Sequence, residues 1–123
     1  MSDKITVGEA IARFLESSGV TTAYGVISIH NMPILDALGQ RGNIRFVASR
    51  GEAGAVNMAD AHARVENTLG VAFTSTGTAA GNAAGALVEA QTAGTALLHI
   101  TGQIDTRYLD RNLAYIHEAR DQL

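Results

Sequence analysis

Two stretches of the chain, Gly70-Val71-Ala72-Phe73 and Ala96-Leu97-Leu98-His99-Ile100, run apolar without alternating with polar residues. A strand with one wet face alternates, whereas a strand covered on both faces does not. These segments therefore predict a parallel sheet sandwiched between helices. The intervening sequence supplies the helices, with apolar residues recurring at three- and four-residue spacing. Thirteen glycines, many alanines and 5% aromatic residues suit helices that approach a sheet closely, and favour an α/β fold over an all-β sandwich.

Read in order, the pattern is helix, then strand and helix in alternation. Thr6-Val7-Gly8-Glu9 has the form of a capping box, and Val7, Ile11, Phe14 and Leu15 recur at helical spacing until Ser17, Ser18 and Gly19. Strands are expected at Thr22 to Ile27, Ile44 to Ala48, Leu69 to Thr74 and Ala96 to Thr101. Helices are expected at Met32 to Leu38, with Pro33 in the first turn and Gly39 and Gly42 behind it, and at Gly51 to Val65. A third runs from Gly77 to Gln91, and an amphipathic helix from Tyr108 to Leu123 closes the chain. At 123 residues this is one domain, spanning 1–123.

Composition excludes several functions. Nine basic residues against 12 acidic ones give a net charge of -3, so no basic field attracts nucleic acid or an anionic membrane. The absence of cysteine removes disulfides, thiolate nucleophiles and cysteine-bound metals. No His-x-x-x-His or His-Glu-x-x-His pair exists, so no metal ligands are expected, and no Gly-x-Ser-x-Gly elbow supports serine hydrolysis. Met1 to Lys4 is too polar to begin a secretory signal, and no apolar run nears the roughly 20 residues that span a bilayer. The expectation is a soluble, cytoplasmic protein.

Ligands of such sheets bind beyond the carboxyl ends of the strands. Four polar or glycine-bearing segments fall there: Ser28-Ile29-His30-Asn31, Ser49-Arg50-Gly51-Glu52, Ser75-Thr76-Gly77-Thr78 and Gly102-Gln103. Glu52 is followed by Ala53, Gly54, Ala55 and Val56, small neighbours that let a flat ring approach. The same Ser-x-x-Glu segment also reads as a capping box with no further role. Gly77, Gly81 and Gly85 lie at i, i+4 and i+8, either for close helix packing or to leave amides open at a helix N-terminus. Among the histidines, His99 reads as a hydrogen-bonded core residue, His62 and His117 as packing or surface residues on helices, and only His30 sits at a strand's carboxyl end.

Taken in order, four motifs resemble the N-terminal pyrimidine-binding (Pyr) domain of thiamine-diphosphate-dependent enzymes, the group of acetolactate synthase and the 2-oxo acid decarboxylases. Val20 to Gly25 leads into Asn31-Met32-Pro33-Ile34-Leu35-Asp36-Ala37-Leu38, similar to the family's N-x-P-x-x-D-A-L. Arg50-Gly51-Glu52-Ala53-Gly54-Ala55 through Met58 to Arg64 resembles R-H-E-x-x-A…M-A-x-G-Y-A-R. Thr74 to Asn82 resembles T-S-G-P-G-x-x-N, and Ile100-Thr101-Gly102-Gln103 resembles I-T-G-Q.

The resemblance implies that Glu52 hydrogen-bonds N1′ of the cofactor's aminopyrimidine. This favours the imino tautomer that deprotonates the thiazolium, which then accepts electrons from a decarboxylating 2-oxo acid in lyase or transferase chemistry. It brings Thr76, Gly77, Thr78, Gly81 and Asn82 near the pyrimidine, and Gln103 near the active-site region. Two departures stand out: Ile27-Ser28-Ile29 replaces the family's P-G-G, and Gly51 replaces the histidine before the glutamate. Ser28 and His30 are candidate substrate contacts.

In the family, the diphosphate and Mg²⁺ are held by a PP domain through G-D-G…N, a motif this chain lacks. The resemblance thus implies half a cofactor site completed by a PP domain or second subunit, and a truncated Pyr domain of strand order 2-1-3-4. The apolar edge at Ala96 to Ile100 then invites pairing with another chain, giving a homodimer. The alternatives are a catalytically silent α/β scaffold derived from the family and a flavodoxin-like mononucleotide binder using the Gly77 helix terminus.

Overall fold

A computed structural model describes residues 4–122. The elements run α1 (Val7–Ser17), β1 (Thr22–Gly25), α2 (Met32–Arg41), β2 (Arg45–Ala48), α3 (Glu52–Glu66), β3 (Gly70–Thr74), α4 (Thr78–Asn82), α5 (Ala84–Ala93) and β4 (Leu97–Thr101). The four strands form one parallel sheet of order β2-β1-β3-β4. The doubly wound α/β architecture and the strand order are as expected.

The two faces of the sheet are built differently. Ala23, Val71 and Phe73 point to one side, where Ala12 and Leu15 of α1 and Ala37 and Leu38 of α2 complete a core of large side chains. Ala72 points to the other, against Val56 and Ala59 of α3 and Ala83 and Ala86 at α5. Alternation of β3 between two apolar faces is why its sequence reads as an unbroken run, and all of its residues are buried. At α1, Thr6 Oγ1 accepts from the Glu9 amide at 3.1 Å, half of the expected capping box. The Glu9 carboxylate turns instead to Arg13 and Arg41. Gly8 lets α1 lie directly on α2, since a Cβ there would strike the Pro33 carbonyl.

Several expected boundaries move. Regular β1 ends at Gly25, although the Val26 amide still donates to the Phe73 carbonyl at 3.1 Å. α2 runs through Gly39 to Arg41 and stops at Gly42, whose φ of 70° supplies a left-handed cap. Val7 and Phe14 lie on the exposed side of α1, at 76% and 59% exposure, so its buried face is Gly8, Ala12 and Leu15. The expected helix from Gly77 to Gln91 is two helices broken at Ala83, and no atom lies within 4 Å of a Cβ built on Gly81 or Gly85. Those glycines therefore do not mediate close packing.

The largest correction concerns Tyr108 to Leu123, expected as a helix. Through residue 122 it is turns and irregular chain, with Leu123 outside the described residues. Asp110, Asn112, Ala114, His117 and Asp121 take left-handed φ of 49 to 65°, which no right-handed helix admits. Tyr108 stacks on Tyr115 with centroids 4.6 Å apart. In a helix that seven-residue separation would span about 10 Å. Leu113 and Ile116 are 59% and 71% exposed, so neither gives a helix the buried apolar stripe that would stabilise it.

Candidate functional site

The site is assembled where the four strands end, Glu52 following β2. Asn31 organises the first of these exits. Its side chain, 1% exposed, accepts from the Ser28 amide at 3.0 Å and donates to the Val26 carbonyl at 3.0 Å and the Thr74 carbonyl at 3.4 Å. This fixes the turn that carries Ser28 and His30 against the end of β3. Sequence reasoning placed Asn31 in a motif and gave it no such task; an Asn just before a helix bearing Pro in its first turn was the available signal.

Glu52 opens α3 and is half-buried. The expected Ser49 cap does not form: Ser49 Oγ donates to the Gly51 carbonyl at 3.0 Å, and Gly51 occupies the cap position without a side-chain bond. Glu52 Oε2 accepts from Asn82 Nδ2 at 3.5 Å, and neighbouring Gly54 has open space where a side chain would stand. A carboxyl at a helix N-terminus, held by one long amide contact amid small residues, is free to take a further donor. On the same side, Thr76 is fully buried and its Oγ1 has no hydrogen-bond partner, while Thr78 is exposed at the start of α4. Gly77, at φ 60°, passes so close to the backbone of His117 that a Cβ would collide with the His117 carbonyl.

A second group lies around His30. Ser28 Oγ is 2.7 Å from Ser75 Oγ and 3.4 Å from His30 Nδ1. His30 and Gln103 line one cleft of about 540 Å³ with Ile29, Ile104, Asp105 and Tyr115. Gln103 Oε1 accepts from the Ile104 amide at 2.8 Å, and its Nε2 donates to the Ala119 carbonyl at 3.3 Å. Hydrogen bonds from Arg107 hold the Asp105 carboxyl low, at about 2, so it is a carboxylate with its counterion in place.

The expected residues thus fall into two neighbouring groups: Glu52 with Asn82, and Ser28 and His30 with Gln103. Gly81 and Thr78 border the first without bonding to it. Two contributors were missed. Ser75 was quoted only as part of a motif, and Gln122, assigned to a helix, reaches back to accept from the Gly77 amide at 3.0 Å and donate to the Gly102 carbonyl at 3.3 Å. Elsewhere, His99 is hydrogen-bonded as expected, its Nε2 2.8 Å from Thr74 Oγ1, but it is half-buried on the edge strand β4 and not in the core; its partial burial pushes the imidazole below the ordinary value. His62 packs on Tyr24. His117 lies on irregular chain, not on a helix. Among the described residues, no three His, Cys, Asp or Glu side chains are grouped as a metal ion would require. No described helix is long and apolar enough to cross a membrane.

The chain is 36% identical over 118 residues to the probable 2-ketoarginine decarboxylase of Pseudomonas aeruginosa, covering 96% of this chain and 21% of that protein. It is 41% identical over 99 residues to 2-hydroxyacyl-CoA lyase 2 of Danio rerio, covering 80% and 16%. Against the large subunit of acetolactate synthase isozyme 1 of Escherichia coli it is 33% identical over 101 residues, covering 82% and 18%. The chain therefore spans about a fifth or less of the length of these relatives. The family described as "Thiamine pyrophosphate enzyme, N-terminal TPP binding domain" matches residues 5–123, and it is to this family that the chain belongs.

Proposed function

We propose that the chain is the pyrimidine-binding portion of a thiamine-diphosphate enzyme acting on 2-oxo acids, with Glu52 as the catalytic carboxyl. The observation that carries this reading is the setting of Glu52: the first turn of α3, a single long contact from Asn82, and space beside Gly54. The orphaned Thr76 hydroxyl adds a buried polar atom awaiting a partner. These residues fit an aminopyrimidine.

Bound thiamine diphosphate supplies a thiazolium that accepts the electron pair released on decarboxylation. Glu52 holds or gives up the proton at ring atom N1′. Asn82 steadies its carboxyl, while Thr76, Gly77, Thr78 and Gly81 form the turn along the ring. Gln103, Ser28 and His30 border the space for the 2-oxo acid. The diphosphate and its Mg²⁺ fall to a PP domain or a second subunit, and the half-exposed edge strand β4 is the surface through which two copies pair.

An amide NMR titration with thiamine diphosphate and Mg²⁺, repeated on Glu52→Ala, tests the reading. Shifts at Ser28 to Asn31, Gly51 to Ala55 and Thr76 to Gly81 that vanish in the variant are expected. No shifts at millimolar ligand would overturn cofactor binding by this chain and leave a silent α/β scaffold. Light scattering at high concentration tests pairing, which a strictly monomeric species would refute.

A further inference from the structure

Ser28 Oγ sits at a three-way junction. A hydroxyl has one proton and two acceptor sites. The His30 amide donates to it at 3.4 Å, which takes one acceptor site. The remaining proton and acceptor site are shared between Ser75 Oγ at 2.7 Å and His30 Nδ1 at 3.4 Å. Either hydroxyl of the 2.7 Å pair can donate: with Ser75 donating to Ser28, Ser28 is left to donate to Nδ1 and the proton of a neutral imidazole lies on Nε2, whereas with Ser28 donating to Ser75 it is Nδ1–H that donates to Ser28. The direction of a hydroxyl pair joining two strand exits is thereby coupled to the tautomer of His30.

The ring is also placed sterically. A Cβ built on Gly102 would stand 2.7 Å from His30 Cβ, so only glycine at the end of β4 lets the histidine lie there. Its cleft is walled by Ile29, Ile104 and Tyr115, and the Asp105 charge within it is neutralised by Arg107 at 2.6 Å. A 2-oxo acid at neutral pH is an anion that offers only acceptors. A donor at Nε2 is the complementary state.

We propose that Ser75, acting through Ser28, and Gly102 are positioning residues that hold His30 as the Nε2–H tautomer, presenting a donor to the carbonyl or carboxylate of a 2-oxo acid. The identity of that ligand rests on the function proposed above; the tautomer does not. The ring is therefore read directly, without thiamine diphosphate, so a failed cofactor titration and a failure here are separate results.

Long-range ¹H–¹⁵N NMR of the histidine rings in the intact chain distinguishes the two tautomers. We expect Nε2–H to dominate at His30, and the ratio to fall about fivefold in Ser75→Ala, the worth of one hydrogen bond. Ser75→Thr, which keeps the hydroxyl, restores it. Pyruvate alone is expected to shift the His30 ring signals, about fivefold more weakly in Ser75→Ala and not at all in Gly102→Ala. A dominant Nδ1–H form, or a tautomer ratio unchanged by Ser75→Ala in a variant with a native amide spectrum, would overturn the coupling. Failure of pyruvate to move the His30 ring would overturn the ligand assignment.

Discussion

The carboxamide of Asn31 donates to the Thr74 carbonyl across 3.4 Å and so ties the turn before α2 to the carboxyl end of β3, which the chain otherwise reaches only through α2, β2 and α3. With its bonds to Ser28 and Val26, this buried side chain fixes the exit of β1 that carries His30. Asn31→Ala leaves the Ser28 amide and two carbonyls short of partners. It should destabilise the fold by about 1–3 kcal/mol, measured by urea unfolding, and broaden the amide signals of Ser28 to His30.

Stability should fall on mild acidification. His99 is driven below its ordinary value by burial, so the unfolded chain takes up a proton first as pH drops. The contribution is complete above about 6.5 and is lost as pH falls through the folded-state value. Urea midpoints between pH 7.5 and 5 should decline for the native chain, and less for His99→Gln, which keeps a group able to hydrogen-bond Thr74 Oγ1.

A second loss comes at lower pH. Arg41 hydrogen-bonds Glu16 and also meets Glu9, and both carboxyls are held below the usual range, Glu16 chiefly by Arg41 and Glu9 chiefly by Arg13. Their stabilising effect is present above about 4.5 and disappears as pH falls through the depressed values. Arg41→Gln should flatten this acid arm, and the difference from the native chain should shrink in 1 M salt.

Two glycines should respond oppositely to alanine. A Cβ on Gly25 would lie 2.7 Å from both Cβ and O of Phe73, so Gly25→Ala overpacks the sheet at a cost of about 1–3 kcal/mol. Gly39, inside α2 with nothing within 4 Å, should stabilise by about 0.5–1 kcal/mol on the same change, since alanine is the better helix former. Thermal unfolding of the two variants checks both signs.

The buried Thr76 hydroxyl has no partner to lose. Thr76→Val should therefore leave urea stability within about 1 kcal/mol of the native chain or raise it. If the hydroxyl serves a bound pyrimidine, the same variant weakens the thiamine-diphosphate titration without disturbing the fold.

The strands and inner helices were legible because burial on two faces writes itself into composition. Val71, Ala72 and Phe73 each face a core, and the sequence shows it. The segment after β4 was misread for the opposite reason. Periodicity cannot say whether an apolar stripe will be buried, and here Leu113 and Ile116 stay exposed. At the candidate site, Glu52 was singled out through the order of motifs around it. Ser75 and Gln122 were not, because their roles arise from bonds across 47 and 45 residues of sequence that no local pattern encodes.

The unequal cores on the two sides of the sheet give the domain an asymmetric mutational spectrum. On the Leu15, Leu38 and Phe73 side, drift toward smaller side chains opens voids; on the Ala72, Ala83 and Ala86 side there is little volume left to remove, and harm comes from growth. A deep mutational scan should therefore separate the faces by the sign of the volume change each tolerates. Because α3 starts at Glu52 and rests on the alanine face, enlargements there would displace the very helix that sets the carboxyl's position.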